Sequence, residues 1–218
     1  MDRPHAIIIG AGPGMGLAIA RRFAKGGFNI SLMARRKEAL DRQVGSVRSR
    51  RGSAAGFVVD AASEASITEA VASAQAAFGP CEVLVYNPAA RIPSPLSEIK
   101  PEALVDSFRV NVAGALAATR AVLPGMRERA RGTLLFTGGG LALRPMPNFA
   151  ALAIGKAGLR SLAQSLSIEL HGSGVYVGSV LIAGYVQSGT AFDPDTIAEV
   201  YWRLFAERPA EPEVIFKG

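Results

Sequence analysis

The sequence predicts a single doubly wound α/β domain, a parallel β-sheet of about seven strands with helices on both faces. Three observations carry this. Short apolar runs alternate with segments of helical periodicity along the whole chain, as strands joined by crossover helices do. The first run passes straight into a glycine-rich turn and then a helix, GAGPGMG at residues 10–16. No linker, repeat or low-complexity tract divides residues 1–218, and one core serves a chain of that length.

The elements follow in order. HAIIIG, residues 5–10, reads as the first strand. GLAIARRFAKGG, residues 16–27, reads as a helix with Leu17, Ala20, Phe23 and Ala24 on one stripe and Gly26-Gly27 as its stop. NISLMA (29–34) is a second strand, KEALDRQVGSVRS (37–49) a helix and GFVVD (56–60) a third strand. Residues 63–79 form a helix with two cap candidates, Ser63 and Ser66; Ser66 and Glu69 have capping-box spacing. CEVLVYN (81–87) is the fourth strand. Residues 101–126 read as one long helix with Pro101 in its first turn. GTLLFTG (132–138), a helix over 148–172, GVYVGSVLIAG (174–184), a helix over 194–207 and the short strand EVIF (213–216) complete the chain. The region around 185–205 is short, because only YVQSGTAFD precedes the last helix.

Composition narrows the function. Apolar residues make up 49% of the chain and charged residues 19%, which excludes a disordered chain. The amino terminus is not a signal peptide, since its apolar run is short and cut by glycines. Residues 172–192 lack charge but contain five glycines and several polar residues, so they read as strand and loop and not as a membrane span. A cytoplasmic location is expected. Cys81, the single cysteine, reads as a small buried apolar group. No His, Cys or carboxylate cluster has metal-ligand spacing. The net charge of +6 is uneven: residues 1–60 hold 11 Lys or Arg and 4 Asp or Glu, the rest 13 and 14. No basic and aromatic stripe points to nucleic acid. A phosphorylated small ligand held by the first third accounts for the asymmetry, and Arg48, Arg50 and Arg51 also fit a solvated face.

Gly10, Gly14 and Gly16 have the spacing G-x-x-x-G-x-G. Between a strand and a helix, such a turn brings backbone N–H groups and a helix start against a pyrophosphate, where a Cβ would block the approach. This assigns Gly10, Gly12, Gly14, Met15 and Gly16 to a dinucleotide. After the second strand, where NAD-binding chains place an acid, stand Arg35 and Arg36. Arginines attract a ribose 2′-phosphate, so NADP(H) is favoured over NAD(H).

The chain resembles the short-chain dehydrogenase/reductase family over nearly its whole length. The family's glycine turn matches Gly10, Gly14 and Gly16; its acidic adenine contact matches Asp60 followed by Ala61. Its N-N-A-G segment is here YNPA, so Asn87 matches while Pro88 and Ala89 depart. Its helix asparagine matches Asn111 in VNVAG, and its P-G segment is here Ala183-Gly184 followed by YVQS. The resemblance implies a Rossmann fold and places Gly184 and Val186 beside the nicotinamide. It also implies dimer or tetramer contacts through the helices that begin near Pro101 and Asn148.

The same resemblance breaks at the proton relay. It puts the family's tyrosine at Leu152, its lysine at Lys156 and its serine at Gly139. Asn111 and Lys156 remain as catalytic candidates, and Lys156 also has the family role of bonding the nicotinamide ribose. Tyr185, Tyr86, Thr137, a water or the Lys156 ammonium are the alternative proton sources. Met146, Phe149, Tyr185 and Phe192 are candidates for an apolar pocket, with core packing as the alternative. Three functions follow: an atypical NADP(H)-dependent oxidoreductase with a non-standard proton donor, an inactive NADP(H)-binding sensor or oligomeric partner, and a structural protein without nucleotide. The retained glycines, Asp60, Asn87, Asn111 and Lys156 argue against the third.

Overall fold

A computed structural model describes residues 3–50 and 52–218; Arg51 lies outside them. The elements are β1 (His5–Ile9), α1 (Met15–Lys25), β2 (Asn29–Ala34), α2 (Lys37–Arg48), β3 (Ser53–Val58), α3 (Glu64–Phe78), β4 (Cys81–Tyr86), α4 (Pro101–Phe108), α5 (Gly114–Glu128), β5 (Gly132–Gly139), α6 (Ala150–Glu169), β6 (Val175–Ile182), α7 (Pro194–Glu207) and β7 (Glu213–Phe216). The seven strands pair in parallel in the order β3-β2-β1-β4-β5-β6-β7. This is the Rossmann-like sheet the alternating pattern predicts. The chain winds outward from β1 to β3 and returns to the other side of β1 with β4. Strand order therefore reverses between β1 and β4, where the carboxyl ends open a crevice.

β1 shows why the strands read as unbroken apolar runs. Ala6 and Ile8 enter the core beneath α1, α2 and α7, while Ile7 and Ile9 enter the core beneath α3, α5 and α6. A strand covered on both faces needs no polar alternation. The first core carries a cluster of Phe23, Phe28, Trp202 and Phe205, packed edge to face or tilted. His5 is buried between the Gly79 carbonyl and the Ser31 hydroxyl, each 2.8 Å away, and burial lowers its pKa. It is a structural residue. No helix among the described residues is long and apolar enough to cross a membrane.

Two local expectations are corrected, and a choice between two cap candidates is decided. β3 runs over 53–58 and not 56–60, because its length is set by full pairing with β2, from Asn29–Ser53 to Ala34–Val58. The cap of α3 is Ser63, whose Oγ accepts the Ser66 N–H at 3.2 Å; Ser66 Oγ instead accepts the Asp60 N–H. The predicted helix over 101–126 is interrupted by a π-turn at Arg109–Ala113, between α4 and α5. The Tyr86 hydroxyl, fully buried, donates to the Val110 carbonyl within that turn.

Candidate active site

The glycine turn is held by backbone alone. The Gly10 and Ala11 N–H groups donate to the Met33 carbonyl at 2.9 and 3.0 Å, tying the turn to the end of β2. Gly10 has φ +85°, and a Cβ there would lie 2.6 Å from Pro88 N. At Gly16 a Cβ would meet the Gly10 carbonyl oxygen at 2.6 Å. Gly12 and Gly14 differ: a Cβ on either would have no neighbour within 4 Å. The first pair is closed against the protein, whereas the second faces open space at the start of α1. That helix has no side-chain cap and no acid in its first turn, an arrangement that suits an anion at its N-terminus. Asn87 braces the turn, its Nδ2 donating to the Gly10 carbonyl at 2.8 Å and its N–H to the Ile9 carbonyl at 2.9 Å.

Arg35 and Arg36 follow β2 directly, both exposed and, among the described residues, without an acidic partner. Arg36 is the N-cap residue of α2, where the helix dipole disfavours a cation. Asp60 lies two residues beyond β3, exposed, with Oδ1 accepting the Ala62 N–H at 3.0 Å; Ala61 is buried. The remaining cations of residues 1–60 do not converge here. Arg22 and Lys25 lie in the last turn of α1, where they suit its dipole. Arg22 also pairs with Glu199 at 2.7 Å and stacks on Trp202. A cavity of about 320 Å³ lined by Arg21, Arg22, Lys25 and Arg50 opens between α1, α2 and α7, not at the strand ends. The charge asymmetry thus has several local causes, and Arg35 and Arg36 are the pair that follows β2 at the edge of the crevice.

Lys156 lies on α6, almost fully buried, with Nζ 2.6 Å from the Thr137 carbonyl and 3.4 Å from the Pro88 carbonyl. Burial, and secondarily the Arg91 guanidinium, pulls its pKa from 10.5 down to about 8. The unfolded chain therefore binds more protons between about pH 8 and 10.5, so this group makes folding more favourable as pH rises through that window. The gain is on the order of 3 kcal/mol. Lys156→Met is expected to flatten that rise, which urea unfolding at pH 7.5 and pH 10 measures.

Around Lys156 the remaining candidates fall into place. Gly139 ends β5, and an added Cβ would lie 3.8 Å from Lys156 Cγ. Leu152 sits one turn before Lys156 on α6, 7% exposed. Asn111 is fully buried in the π-turn: Oδ1 accepts the Ala90 N–H at 3.0 Å, and Nδ2 donates to the Ala90 carbonyl and Ser107 Oγ, both at 3.1 Å. Its side chain holds the turn after β4, which makes it a positioning residue.

One of the alternative proton sources has its proton engaged, and a second is held as an acceptor. Tyr86 is spent on the Val110 carbonyl, and burial drives its pKa upward. Thr137 Oγ1 accepts the Tyr201 hydroxyl at 2.8 Å. Tyr185 is 75% exposed. Phe192 belongs to the core side of the alternatives for the apolar pocket: its ring covers Gly184 and packs on Phe216. Val186 is half-buried against the same core. Sequence reasoning missed that Arg91 stands near this site, three residues after Pro88, whose carbonyl is 3.4 Å from Lys156 Nζ, since nothing in a loop arginine marks its neighbours across the fold.

A family model described as short chain dehydrogenase matches residues 4–195. The chain belongs to the short-chain dehydrogenase family. Among curated relatives, a short chain dehydrogenase of Pseudocercospora fijiensis is 32% identical over 195 residues, 88% of this chain; the match spans 62% of that relative's length. The 2-(S)-hydroxypropyl-CoM dehydrogenase 3 of Xanthobacter autotrophicus is 29% identical over 205 residues, 93% of this chain and 80% of its own. Among solved structures, a metagenomic short-chain oxidoreductase in complex with NADP superposes with a TM-score of 0.89 at 28% identity, covering 99% of this chain and 97% of that one.

Proposed function

We propose that this short-chain dehydrogenase is an NADP(H)-dependent oxidoreductase whose proton relay departs from the family pattern, with Gly139 and Leu152 where that pattern has hydroxyls. The observation that carries the cofactor is the pairing of an open turn at Gly12 and Gly14 with Arg35 and Arg36 just after β2, which have no acidic partner among the described residues. Gly10, Gly12, Gly14, Met15 and Gly16 would hold the pyrophosphate, Arg35 and Arg36 the 2′-phosphate, and Asp60 and Ala61 the adenine. Asn87, Lys156, Gly184 and Val186 would border the nicotinamide half. NADPH, when bound, supplies a hydride. The chain's own contribution is position and charge: Lys156 offers a buried cation beside the carboxyl ends of β4 and β5. NADPH is expected to bind at least tenfold more tightly than NADH, a gap that Arg35→Ala with Arg36→Ala removes; fluorescence titration of both cofactors checks it. Equal affinities in the native chain would overturn the assignment.

A second reading is a nucleotide-binding protein without turnover. It is favoured by Leu152, which puts a buried alkyl group one turn from Lys156, and by the engagement of the Tyr86 proton on the Val110 carbonyl. NADPH consumption against aldehydes, ketones, quinones and enones separates the two readings. Turnover supports the oxidoreductase, and tight binding without turnover supports the binding protein.

We also infer self-association through α4, α5 and α6. Val105, Phe108, Leu116, Ile154 and Ile168 are exposed on these helices, and exposed apolar groups gathered on helical faces mark an interface. Light scattering is expected to give a dimer or tetramer, and Phe108→Glu to shift it toward monomer.

A further inference from the structure

Eleven large apolar side chains are exposed among the described residues. Five lie on the α4–α6 face and two on the edge strands β3 and β7. The other four, Leu96, Leu143, Met146 and Tyr185, lie on the loops that follow β4, β5 and β6. Those loops meet. The 3₁₀ turn at Leu96–Glu98 packs against the one at Pro147–Phe149. A Cβ on Gly140 would lie 2.9 Å from Ala183 Cα, so the β5 and β6 loops abut. An apolar patch at the mouth of a crevice is a binding feature.

The charge of the same loops is one-sided. Residues 88–99, 140–149 and 183–192 contain two arginines, Arg91 and Arg144, and one acid, Glu98. Neither arginine forms an ion pair among the described residues. Arg91 follows Ala90, whose N–H and carbonyl bond Asn111, and stands three residues after Pro88, whose carbonyl lies 3.4 Å from Lys156 Nζ, which puts it at the inner end of the crevice.

We propose that this mouth takes an amphipathic anion, with a long apolar body over Leu96, Leu143, Met146 and Tyr185 and a carboxylate or phosphoester on Arg91, Arg144 being the second cation of the rim. The inference rests on the reading of this crevice as the reaction site and names its substrate class. A small neutral carbonyl compound would leave both the apolar rim and the arginines unmatched.

The test is calorimetric titration of the full chain, at saturating NADPH, with decanoate, decyl phosphate and decan-1-ol, with NADPH itself titrated in parallel. The better anion is expected to bind about tenfold or more tightly than the alcohol. Whichever anion wins tells a carboxylate from a phosphoester. Arg91→Gln is expected to cost the anions about tenfold and to leave decan-1-ol and NADPH unchanged, whereas Met146→Ser weakens all three amphiphiles. Equal affinity for anion and alcohol overturns the proposal, as does failure of all three to bind. So does anion binding that Arg91→Gln and Arg144→Gln both leave untouched. Decanoate binding without any NADPH binding would remove the nucleotide reading and leave the mouth assignment standing.

Discussion

Gly139→Ser combined with Leu152→Tyr is expected to raise NADPH-dependent carbonyl reduction by about 10²-fold or more. A positioned general acid contributes about 10²–10⁴ in rate, and a donor to a developing oxyanion about 10²–10³. The site has room for the first change, because a Cβ on Gly139 meets Lys156 Cγ at 3.8 Å and the Ile182 carbonyl oxygen at 3.9 Å, ordinary contact distances. The second places a phenol one helical turn before Lys156, on the same side of α6, where the buried ammonium holds its pKa down. Steady-state kinetics on aldehydes and ketones measure the gain, and Lys156→Ala in the restored background should cancel it. If the double variant binds NADPH tightly and shows no rise, positions 139 and 152 are not where the relay belongs.

Gly10→Ala and Gly12→Ala should fail in different ways. At Gly10 the backbone is left-handed, and the added carbon would press on Pro88 N and the Asn87 carbonyl carbon, at 2.6 and 2.8 Å. Both are backbone atoms that cannot swing aside. The left-handed conformation alone costs about 1–2 kcal/mol, and the displacement of the β4 turn adds to it. A total near 3 kcal/mol lowers Tm by about 6–12 °C in a domain of this size. At Gly12 the same carbon enters open space, so Tm should hold while NADPH affinity falls more than tenfold. Thermal unfolding and cofactor titration of the pair distinguish a glycine required by the fold from one required by a ligand. A Gly12→Ala protein that binds NADPH normally would remove the pyrophosphate from this turn.

Much of the architecture was legible because the determining forces are local. α7 and β7 occupy the predicted residues, since Asp193 caps the helix with its own side chain and Pro194 opens it. The glycine turn was legible because close backbone approach leaves glycine as the residue that fits. What escaped was decided by distant partners. The start of β3 follows from pairing with β2, not from where its apolar residues lie, and Val58 is exposed on the sheet edge. The π-turn in the 101–126 helix depends on the Tyr86 hydroxyl, supplied by a different strand. Asn111 was singled out by its motif, but its partner Ala90 is 21 residues away. The +7 excess of residues 1–60 suggests a phosphorylated ligand or, for Arg48, Arg50 and Arg51, a solvated face, and the fold spreads many of those cations over helix ends and ion pairs.

The segment after β6 is stitched down at both ends. The Ala183 N–H donates to the Phe216 carbonyl, and the Gln187 N–H to the Phe192 carbonyl. Phe192 itself lies on Gly184 and Phe216. Fastened in this way, the segment forms a preassembled wall beside the crevice, and a ligand arriving there would meet Tyr185 on a loop already braced against β7.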